Sequence, residues 1–208
     1  FKGAWLSLWL LKMNAQVSGI SLDPENPNNL FDQLKIENDL NHIICDVRNK
    51  DSLKKHIHSI KPEFIFHLAA QPLVVKSYIE PVNTWETNLM GTVNVLDAIT
   101  SINNGCKAIL ITTDKVYKNN EWNYGYREVD ELGGHDPYSS SKAACEIAIS
   151  SWRSSFFKTK SFNKQFNEQY FNANPEDFIS NHFPDESKWQ LLDIPLSKNE
   201  YINSPTFN

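Results

Sequence analysis

Residues 108–142 read AILITTDKVYKNNEWNYGYREVDELGGHDPYSSSK, and the class of fold can be inferred from this segment. Its apolar start, 108–111, predicts a buried strand, and that strand runs into the polar residues 112–115 (TTDK). Further along, Tyr138 and Lys142 stand four residues apart at the head of a helical pattern. Polar side chains at the carboxyl end of a strand, followed by a helix, are typical of a doubly wound parallel sheet.

The spacing of Tyr138 and Lys142 is typical of a site for proton and hydride transfer. On a helix, positions i and i+4 share one face, so the lysine ammonium is expected near the tyrosine phenol. A nearby positive charge favours the phenolate, which can then accept a proton near neutral pH. The same spacing also occurs by chance on solvated helix faces. Its place after the strand 107–113 favours the functional interpretation.

Strands and helices alternate along the rest of the chain. The patterns predict strands at 16–23, 41–46, 64–71 and 107–113, and helices at 4–13, 52–60, 83–103 and 139–153. The strand at 64–71 is expected to be buried, and the helix at 4–13 is apolar nearly all round, which predicts burial on most of its circumference. This alternation predicts an α/β fold, a Rossmann-like doubly wound parallel sheet with helices on both faces.

We expect this sheet to be truncated at its first strand. A doubly wound nucleotide-binding fold begins with a strand and a glycine-rich turn before the first helix. The sequence starts at the helix, and Gly3 is the one residue that fits the end of such a turn. Gly3 fits an ordinary helix start equally well.

Composition excludes several classes of protein. The chain has 208 residues and a net charge of -5, with no basic block that would indicate a nucleic-acid partner. No apolar run approaches the ~18 residues of a membrane span. Cys45, Cys106 and Cys145 lack the spacing of a metal site, so we expect no metal and small, reduced core thiols in a cytoplasmic protein.

The chain changes character after Phe157. All seven glycines lie between Gly3 and Gly134, and the remainder is rich in Asn, Phe, Lys and Ser. We therefore predict an α/β domain over residues 1–157 and, over 158–208, an unrelated or partly disordered tail of different origin.

Several motifs in residues 1–157 resemble those of the extended short-chain dehydrogenase/reductases of nucleotide-sugar metabolism, and among them the CDP-glucose 4,6-dehydratases. The motifs, in chain order, are 1–7 (FKGAWLS), 67–74 (HLAAQPLV), 88–94 (NLMGTVN), 113–117 (TDKVY), 121–122 (EW), 125–128 (GYRE) and 133–139 (GGHDPYS). Lys115 separates the members of this family. The related dTDP-glucose dehydratases usually carry Glu there, so Thr-Asp-Lys favours the enzymes that act on CDP-sugars.

The resemblance implies conversion of CDP-glucose to CDP-4-dehydro-6-deoxyglucose and water on one tightly bound NAD. Tyr138 would remove the proton of the sugar 4-hydroxyl, Thr113 would hydrogen-bond that hydroxyl, and Lys142 would support the tyrosine and hold the nicotinamide ribose. Asp114 would protonate the departing 6-hydroxyl, and Lys115 would remove the C5 proton or assist electrostatically. The alternative for the last two residues is an exposed turn at a strand end.

The resemblance also implies that residues 1–157 bind NAD(P) along the strand ends. The implied cofactor-binding residues are Phe1, Lys2, Gly3, Asp23, Asp46, Val47, Ala69, Ala70, Gln71, Thr112, Tyr138 and Lys142. Asp23 suits the acidic residue that binds ribose hydroxyls, although Asp also caps loops. Ala69 and Ala70 would admit a close backbone pass along the cofactor, or would simply pack tightly. His67 and Asn88 are expected to support the core.

Part of the tail, within 170–192, is similar to a segment of the transglutaminase-like domain of hillarin and kyphoscoliosis-type proteins. No catalytic residue carries over, and a polar linker is the alternative. Two hypotheses therefore remain for the whole chain. It is a truncated nucleotide-sugar dehydratase, or it is a fused or remnant product that serves as a nucleotide-binding or interaction module. The sequence leaves open whether the chain forms a homodimer.

Overall fold

The computed structural model of the protein describes residues 1–24, 29–102 and 105–157. The tail at 158–208, with its transglutaminase-like segment, lies outside the described residues. The strands are β1 (Ser18–Ser21), β2 (Asn41–Ile44), β3 (Phe64–His67) and β4 (Lys107–Leu110). The α-helices are α1 (Lys2–Lys12), α2 (Leu30–Leu34), α3 (Lys50–Ile60), α4 (Val74–Ile79), α5 (Pro81–Trp85), α6 (Gly91–Thr100) and α7 (Pro137–Ser155).

The four strands form two parallel pairs. Strand β1 pairs with β2, with Ser18 opposite Asn41, and β3 pairs with β4, with Phe64 opposite Lys107. Helix α3 links β2 to β3, and α4 to α6 link β3 to β4. Parallel strands joined through helices confirm the predicted α/β class. Within each pair the carboxyl ends of the strands lie at the same edge. The edge of the pair β3–β4 is the one that positions the candidate site.

One hydrophobic cluster joins the two strand pairs. Its buried members come from the start of the loop after β2 and from α3 and α6, and they are Cys45, Leu53, Ile57, Val95, Ala98 and Ile99. Each strand adds one partly buried side chain to this cluster, namely Ile20, Ile43, Ile65 and Ala108. Full burial of such aliphatic side chains stabilises a fold by roughly 1.5–3 kcal/mol each. The layer of α3 and α6 therefore holds both pairs.

The prediction that strands 64–71 and 108–111 are buried is confirmed only in part. His67 and Gln71 are buried and residues 65, 66 and 68–70 are half-buried, but other side chains of the two segments are exposed. Phe64 is 50% exposed, Ile109 44% and Ile111 42%. Alternate residues of a strand point to opposite faces, so Ala108 meets the cluster while Ile109 points away from it. Among the described residues, α3 and α6 cover only the face that meets the cluster.

The burial predicted for the first helix was wrong. Helix α1 has no buried residue, and Trp5 and Trp9 are 48% and 59% exposed. In the part of the chain that the structure describes, α1 packs mainly against the short helix α2. An apolar sequence predicts that a helix can be buried, but burial itself needs a neighbour on each face.

The helix predicted at 83–103 is made of three consecutive segments. A π-helical turn at Glu86–Met90 separates α5 from α6, and Asn88 in this turn is fully buried. The next residue after the turn is Gly91, where an added Cβ would lie 2.7 Å from a methyl carbon of Val47. The absence of a side chain there lets α6 pack against the residues that follow β2. The sequence pattern did not predict this π turn, nor the short helices α2 and α4.

Candidate active site

The end of β4 and the start of α7 form the candidate site. After β4 the chain enters a 3-10 turn, Asp114–Val116, against which α7 packs. Helix α7 begins at Pro137, and the carboxylate of Asp136 caps it by accepting from the backbone N–H of Ser139 at 3.0 Å. Tyr138 therefore lies in the first turn of a well-capped helix.

Lys142 is held against the end of β4. Its side chain is 5% exposed, and Nζ donates to the backbone carbonyl of Ile111 at 3.2 Å. Burial lowers the pKa of Lys142, while Cys145 and Glu146 nearby act to raise it. Tyr138 is half-buried, and its hydroxyl makes no hydrogen bond to any residue that the structure describes. The predicted support of Tyr138 by Lys142 stays a prediction.

Glu146 lies beside the candidate site and was not singled out from the sequence. It lies one turn beyond Lys142 on α7, and its carboxylate accepts a hydrogen bond from the hydroxyl of Thr112. Two consecutive residues after β4, Ile111 and Thr112, are therefore bonded to two consecutive turns of α7. The spacing of four residues between Lys142 and Glu146 was the signal in the sequence.

Asp114 and Lys115 form an ion pair with Nζ 3.5 Å from the carboxylate. The hydroxyl of Thr113 donates to the Asp114 carboxylate at 3.0 Å, and this bond, with the charge of Lys115, lowers the pKa of Asp114. The two side chains are 85% and 57% exposed, as an ordinary surface turn would also be. Both side chains also line a cleft.

The cleft has a volume of about 440 Å³, within the range of small-molecule sites. One wall is made by the segment after Val116, where the rings of Tyr117 and Tyr126 stack with centroids 5.4 Å apart. The Tyr126 hydroxyl donates to Asn119 Oδ1 at 3.1 Å. The lining residues are Asp114, Lys115, Tyr117, Asn119, Tyr126, Gly133, Gly134, His135, Asp136 and Ser139.

Asp114 and Lys115 line this cleft and were candidate residues in the sequence, whereas the residues of the aromatic wall were not. The contacts of Asn119 and Tyr126 depend on how the segment 117–135 folds back, with Tyr117 paired to Leu132. Tyr138 and Lys142 do not line the cleft. Both lie on α7 close to Ser139, which does line it, and α7 packs against the turn that contains Asp114.

Seven of the twelve residues predicted to bind the cofactor lie after the strands. Asp23 follows β1 and is exposed, and Asp46 follows β2. Ala69 and Ala70 follow β3 and are half-buried, and Thr112 follows β4. The register of each parallel pair brings Asp23 and Asp46 to one sheet edge, and the Ala69–Ala70 dipeptide and Thr112 to the corresponding edge of the other pair.

Asp46 and two further predicted cofactor residues have clear local roles. The Asp46 carboxylate accepts from the backbone and guanidinium of Arg48, which lowers the pKa of Asp46. Val47 is buried against Gly91. Gln71 is buried, and its backbone N–H donates to Asn88 Oδ1 at 2.7 Å. Phe1, Lys2 and Gly3 are exposed at the start of α1.

His67 and Asn88 support the core, as predicted. His67 is 6% exposed, and its Nε2 lies 3.1 Å from the hydroxyl of Thr92. Since that hydroxyl donates to the Asn88 carbonyl, the His67 nitrogen is the donor. Burial, and next the charge of Lys142, lower the pKa of His67 to about 4. The Asn88 amide donates to Ser141 on α7 at 2.9 Å.

Residues 1–24, 29–102 and 105–157 contain neither a candidate metal site nor a candidate membrane-crossing helix. No group of three or more His, Cys, Asp or Glu side chains in these ranges could hold a metal ion. None of the described helices combines the length and the apolar character that a membrane crossing needs. The three cysteines are free thiols, with Cys45 and Cys145 buried.

The sequence profile of the GDP-mannose 4,6 dehydratase family matches residues 1–188. The chain belongs to this family. CDP-glucose 4,6-dehydratase of Salmonella typhimurium is 43% identical to it over 164 residues, which are 79% of this chain and 46% of that protein. The chain thus spans about half the length of the curated relatives it matches. The predicted resemblance to nucleotide-sugar dehydratases is confirmed.

Comparison with solved structures confirms the Rossmann-like fold. UDP-glucose 4-epimerase of Thermus thermophilus, in complex with NAD, matches with a TM-score of 0.66 at 23% identity, over 76% of this chain and 49% of that chain. A weaker similarity, to a kyphoscoliosis-type protein, is consistent with the resemblance expected for the tail. Mouse kyphoscoliosis peptidase is 32% identical over 87 residues, 39% of this chain and 13% of that protein.

Proposed function

We propose that the chain carries the NAD site and catalytic residues of a cytoplasmic nucleotide-sugar 4,6-dehydratase that acts on CDP-glucose. The observation that carries this proposal is the meeting of two segments at the end of β4. Lys142 is bonded to Ile111, beside residues 112–115, and α7 presents Tyr138 one turn before it. The 43% identity to a CDP-glucose 4,6-dehydratase supports the choice of reaction and sugar nucleotide.

The residues after the strands suit a dinucleotide. Small side chains at Ala69 and Ala70 leave the backbone after β3 open to a close approach, and the Asp23 carboxylate is exposed after β1. Lys142 would hold the nicotinamide ribose. NAD, when bound there, supplies a hydride acceptor at sugar C4 and later returns the hydride to C6. The free thiols fit a reducing compartment such as the cytoplasm.

The first proton transfer would fall to Tyr138. Its hydroxyl makes no hydrogen bond within the described part of the chain, so the sugar 4-hydroxyl can become its partner. The Lys142 ammonium, fixed on the Ile111 carbonyl, would stabilise the phenolate from the same helix face. Thr113 would orient the 4-hydroxyl during its oxidation to a ketone.

The elimination needs a base for the C5 proton and an acid for the departing 6-hydroxyl. Asp114 and Lys115 are charged in their ion pair, so neither is yet ready for the role that the resemblance implies. One proton passing from Lys115 Nζ to the Asp114 carboxylate creates both groups at once, a neutral amine base and a carboxylic acid. Substrate that displaces water disfavours both charges and makes this neutral pair easier to reach.

The direct test is turnover. The full chain is incubated with NAD and CDP-glucose, and the sugar nucleotide is followed by mass spectrometry for loss of one water. We expect product from CDP-glucose and much less from dTDP-glucose or GDP-mannose. No water loss from any of the three would contradict the proposal.

A calorimetric titration with NAD separates the enzyme from the alternative of a remnant. We expect a working cofactor site to bind NAD with a dissociation constant below about 1 mM. This limit corresponds to a binding free energy of about 4 kcal/mol. No measurable binding would favour a non-enzymatic module.

A further inference from the structure

A carboxylate stands one helical turn beyond the buried lysine of α7. Tyr138, Lys142 and Glu146 follow one another at intervals of four residues and therefore share one face of the helix. Lys142 donates to the Ile111 carbonyl, and Glu146 accepts from the Thr112 hydroxyl. The end of β4 is thus fastened to α7 at two adjacent points.

The ammonium of Lys142 needs a counter-charge. Its side chain is 5% exposed and has the Ile111 carbonyl as its hydrogen-bond acceptor among the described residues. Burying an ammonium is costly unless it is paired and hydrogen-bonded. The titratable groups that face it are Cys145 and Glu146 on α7 and His67 on β3. His67 is neutral near pH 7 because its pKa is about 4, and burial raises the pKa of the Cys145 thiol above its ordinary value of 9.0. Of the three groups, Glu146 is therefore the one that can supply a negative charge near pH 7.

We propose that Glu146 is a positioning residue that keeps the buried Lys142 ammonium charged and, through Thr112, fixes the end of β4 on α7. The role of that ammonium, which is to support Tyr138 and to hold the nicotinamide ribose, rests on the proposed function. Glu146 itself touches neither substrate nor reacting atoms. Glu146 acts through its hydrogen bond to Thr112 and through its charge on Lys142. If Glu146 only held β4 and α7 together, as a structural clasp, the hydrogen bond to Thr112 would be enough.

Two substitutions separate the charge from the hydrogen bond. Glu146→Gln removes the charge, and its amide oxygen can still accept from Thr112. Thr112→Val removes the donor and leaves the carboxylate and its charge in place. Glu128→Gln, at an exposed position on the segment 117–135, is the control for the loss of one negative charge anywhere in the chain.

The readout is the titration of the Lys142 side-chain nitrogen by NMR, in the full chain without substrate. We expect Glu146→Gln to lower the titration midpoint of Lys142, Thr112→Val to lower it less, and Glu128→Gln to leave it unchanged. An unchanged midpoint in Glu146→Gln, or equal shifts in Glu146→Gln and Thr112→Val, would overturn the proposal and leave Glu146 as a clasp. Should Glu146→Gln fail to fold, Glu146→Asp keeps the charge at shorter reach. Its midpoint is then expected near that of the unchanged chain, and a clear fall would overturn the proposal.

The pH profile of turnover gives a second readout. Where the chain turns over CDP-glucose, the alkaline limb of the kcat profile is expected to move to lower pH in Glu146→Gln, because Lys142 loses its proton earlier. Where it does not, the NMR titration still decides the role of Glu146, so failure of the proposed function and failure of this inference are distinguishable.

Discussion

At the scale of single residues, Tyr138 carries the sharpest prediction. Phe in its place keeps the ring and the packing of the first turn of α7 but removes the oxygen that would accept the proton. We expect Tyr138→Phe to lower turnover of CDP-glucose by on the order of 10²–10⁴-fold, the usual contribution of a general base. Calorimetry should find NAD affinity within a few-fold of the unchanged chain. Retained turnover would show that another group removes the proton.

Lys115 allows a substitution that keeps the charge and removes the base. Arg in its place can still pair with Asp114, but a guanidinium does not give up its proton in proteins. We therefore expect Lys115→Arg to stop solvent deuterium from entering at C5 and to stop loss of water. Binding of NAD should persist. The comparison is Lys115→Met, and if Arg restored turnover that Met had lost, Lys115 would be an electrostatic helper and not the base.

Whether a candidate site residue could be predicted from the sequence depends on how far apart its contacts lie along the chain. Lys142, Asp114 and His67 could be predicted because a local pattern, a strand end or a helix spacing, marks each of them. Asn119 and Tyr126 could not, because their place in the cleft depends on the fold of a whole segment. Glu146 carried a local signal, but its meaning needed the Thr112 contact, which joins residues 34 positions apart.

At the scale of elements, Gly134 decides how the segment 117–135 enters α7. An added Cβ at Gly134 would lie 2.4 Å from the backbone of Ser139 and Ser140, which no flexible side chain can relieve. We expect Gly134→Ala to shift the start of α7 and to destabilise the fold by about 1–3 kcal/mol, the usual cost of overpacking. Chemical unfolding followed by circular dichroism measures it.

Gly133 is the matched control for that prediction. An added Cβ there would meet Lys118 at 3.5 Å, an ordinary contact. Gly133→Ala should therefore leave the free energy of unfolding nearly unchanged. Equal losses in the two variants would mean that the close approach at Gly134 does not set the position of α7.

The elements themselves were largely predictable, and their burial was not. Hydrophobic periodicity and turn residues mark every strand from β1 to β4 and the longer helices to within a few residues. The π turn at Glu86–Met90 depends on Asn88 reaching Gln71 and Ser141, contacts that no periodicity encodes. The exposure of α1 depends likewise on which neighbours lie beside it.

At the scale of the whole molecule, the layer formed by α3 and α6 has two structural roles. Helices α3 and α6 hold both strand pairs through a shared cluster, and the same arrangement brings the strand ends to their edges. Asn88, in the π turn that precedes α6, bonds both the loop after β3 and Ser141 of α7. The core therefore fixes the distance between the predicted cofactor residues after β3 and helix α7.

Burial of His67 ties the stability of that core to pH. Its pKa is about 4 in the folded chain against an ordinary value of 6.5, so the unfolded chain binds a proton that the folded chain excludes. The contribution is fully present above pH 6.5 and is lost as the pH falls towards 4. By 1.36 kcal/mol per pH unit, the free energy of unfolding should drop by roughly 3 kcal/mol across this window.

The carboxylates with lowered pKa act in a different window. Asp97, bonded by Lys54, contributes stability that is lost only as the pH falls below its ordinary value of 3.8. Urea unfolding of the full chain between pH 7 and pH 4.5 therefore isolates the histidine. We expect His67→Gln to flatten the pH dependence there and the exposed His135→Gln to leave it intact. An unchanged slope in His67→Gln would mean that His67 takes up its proton in the folded chain as readily as in the unfolded one, and that the core around α6 tolerates the charge.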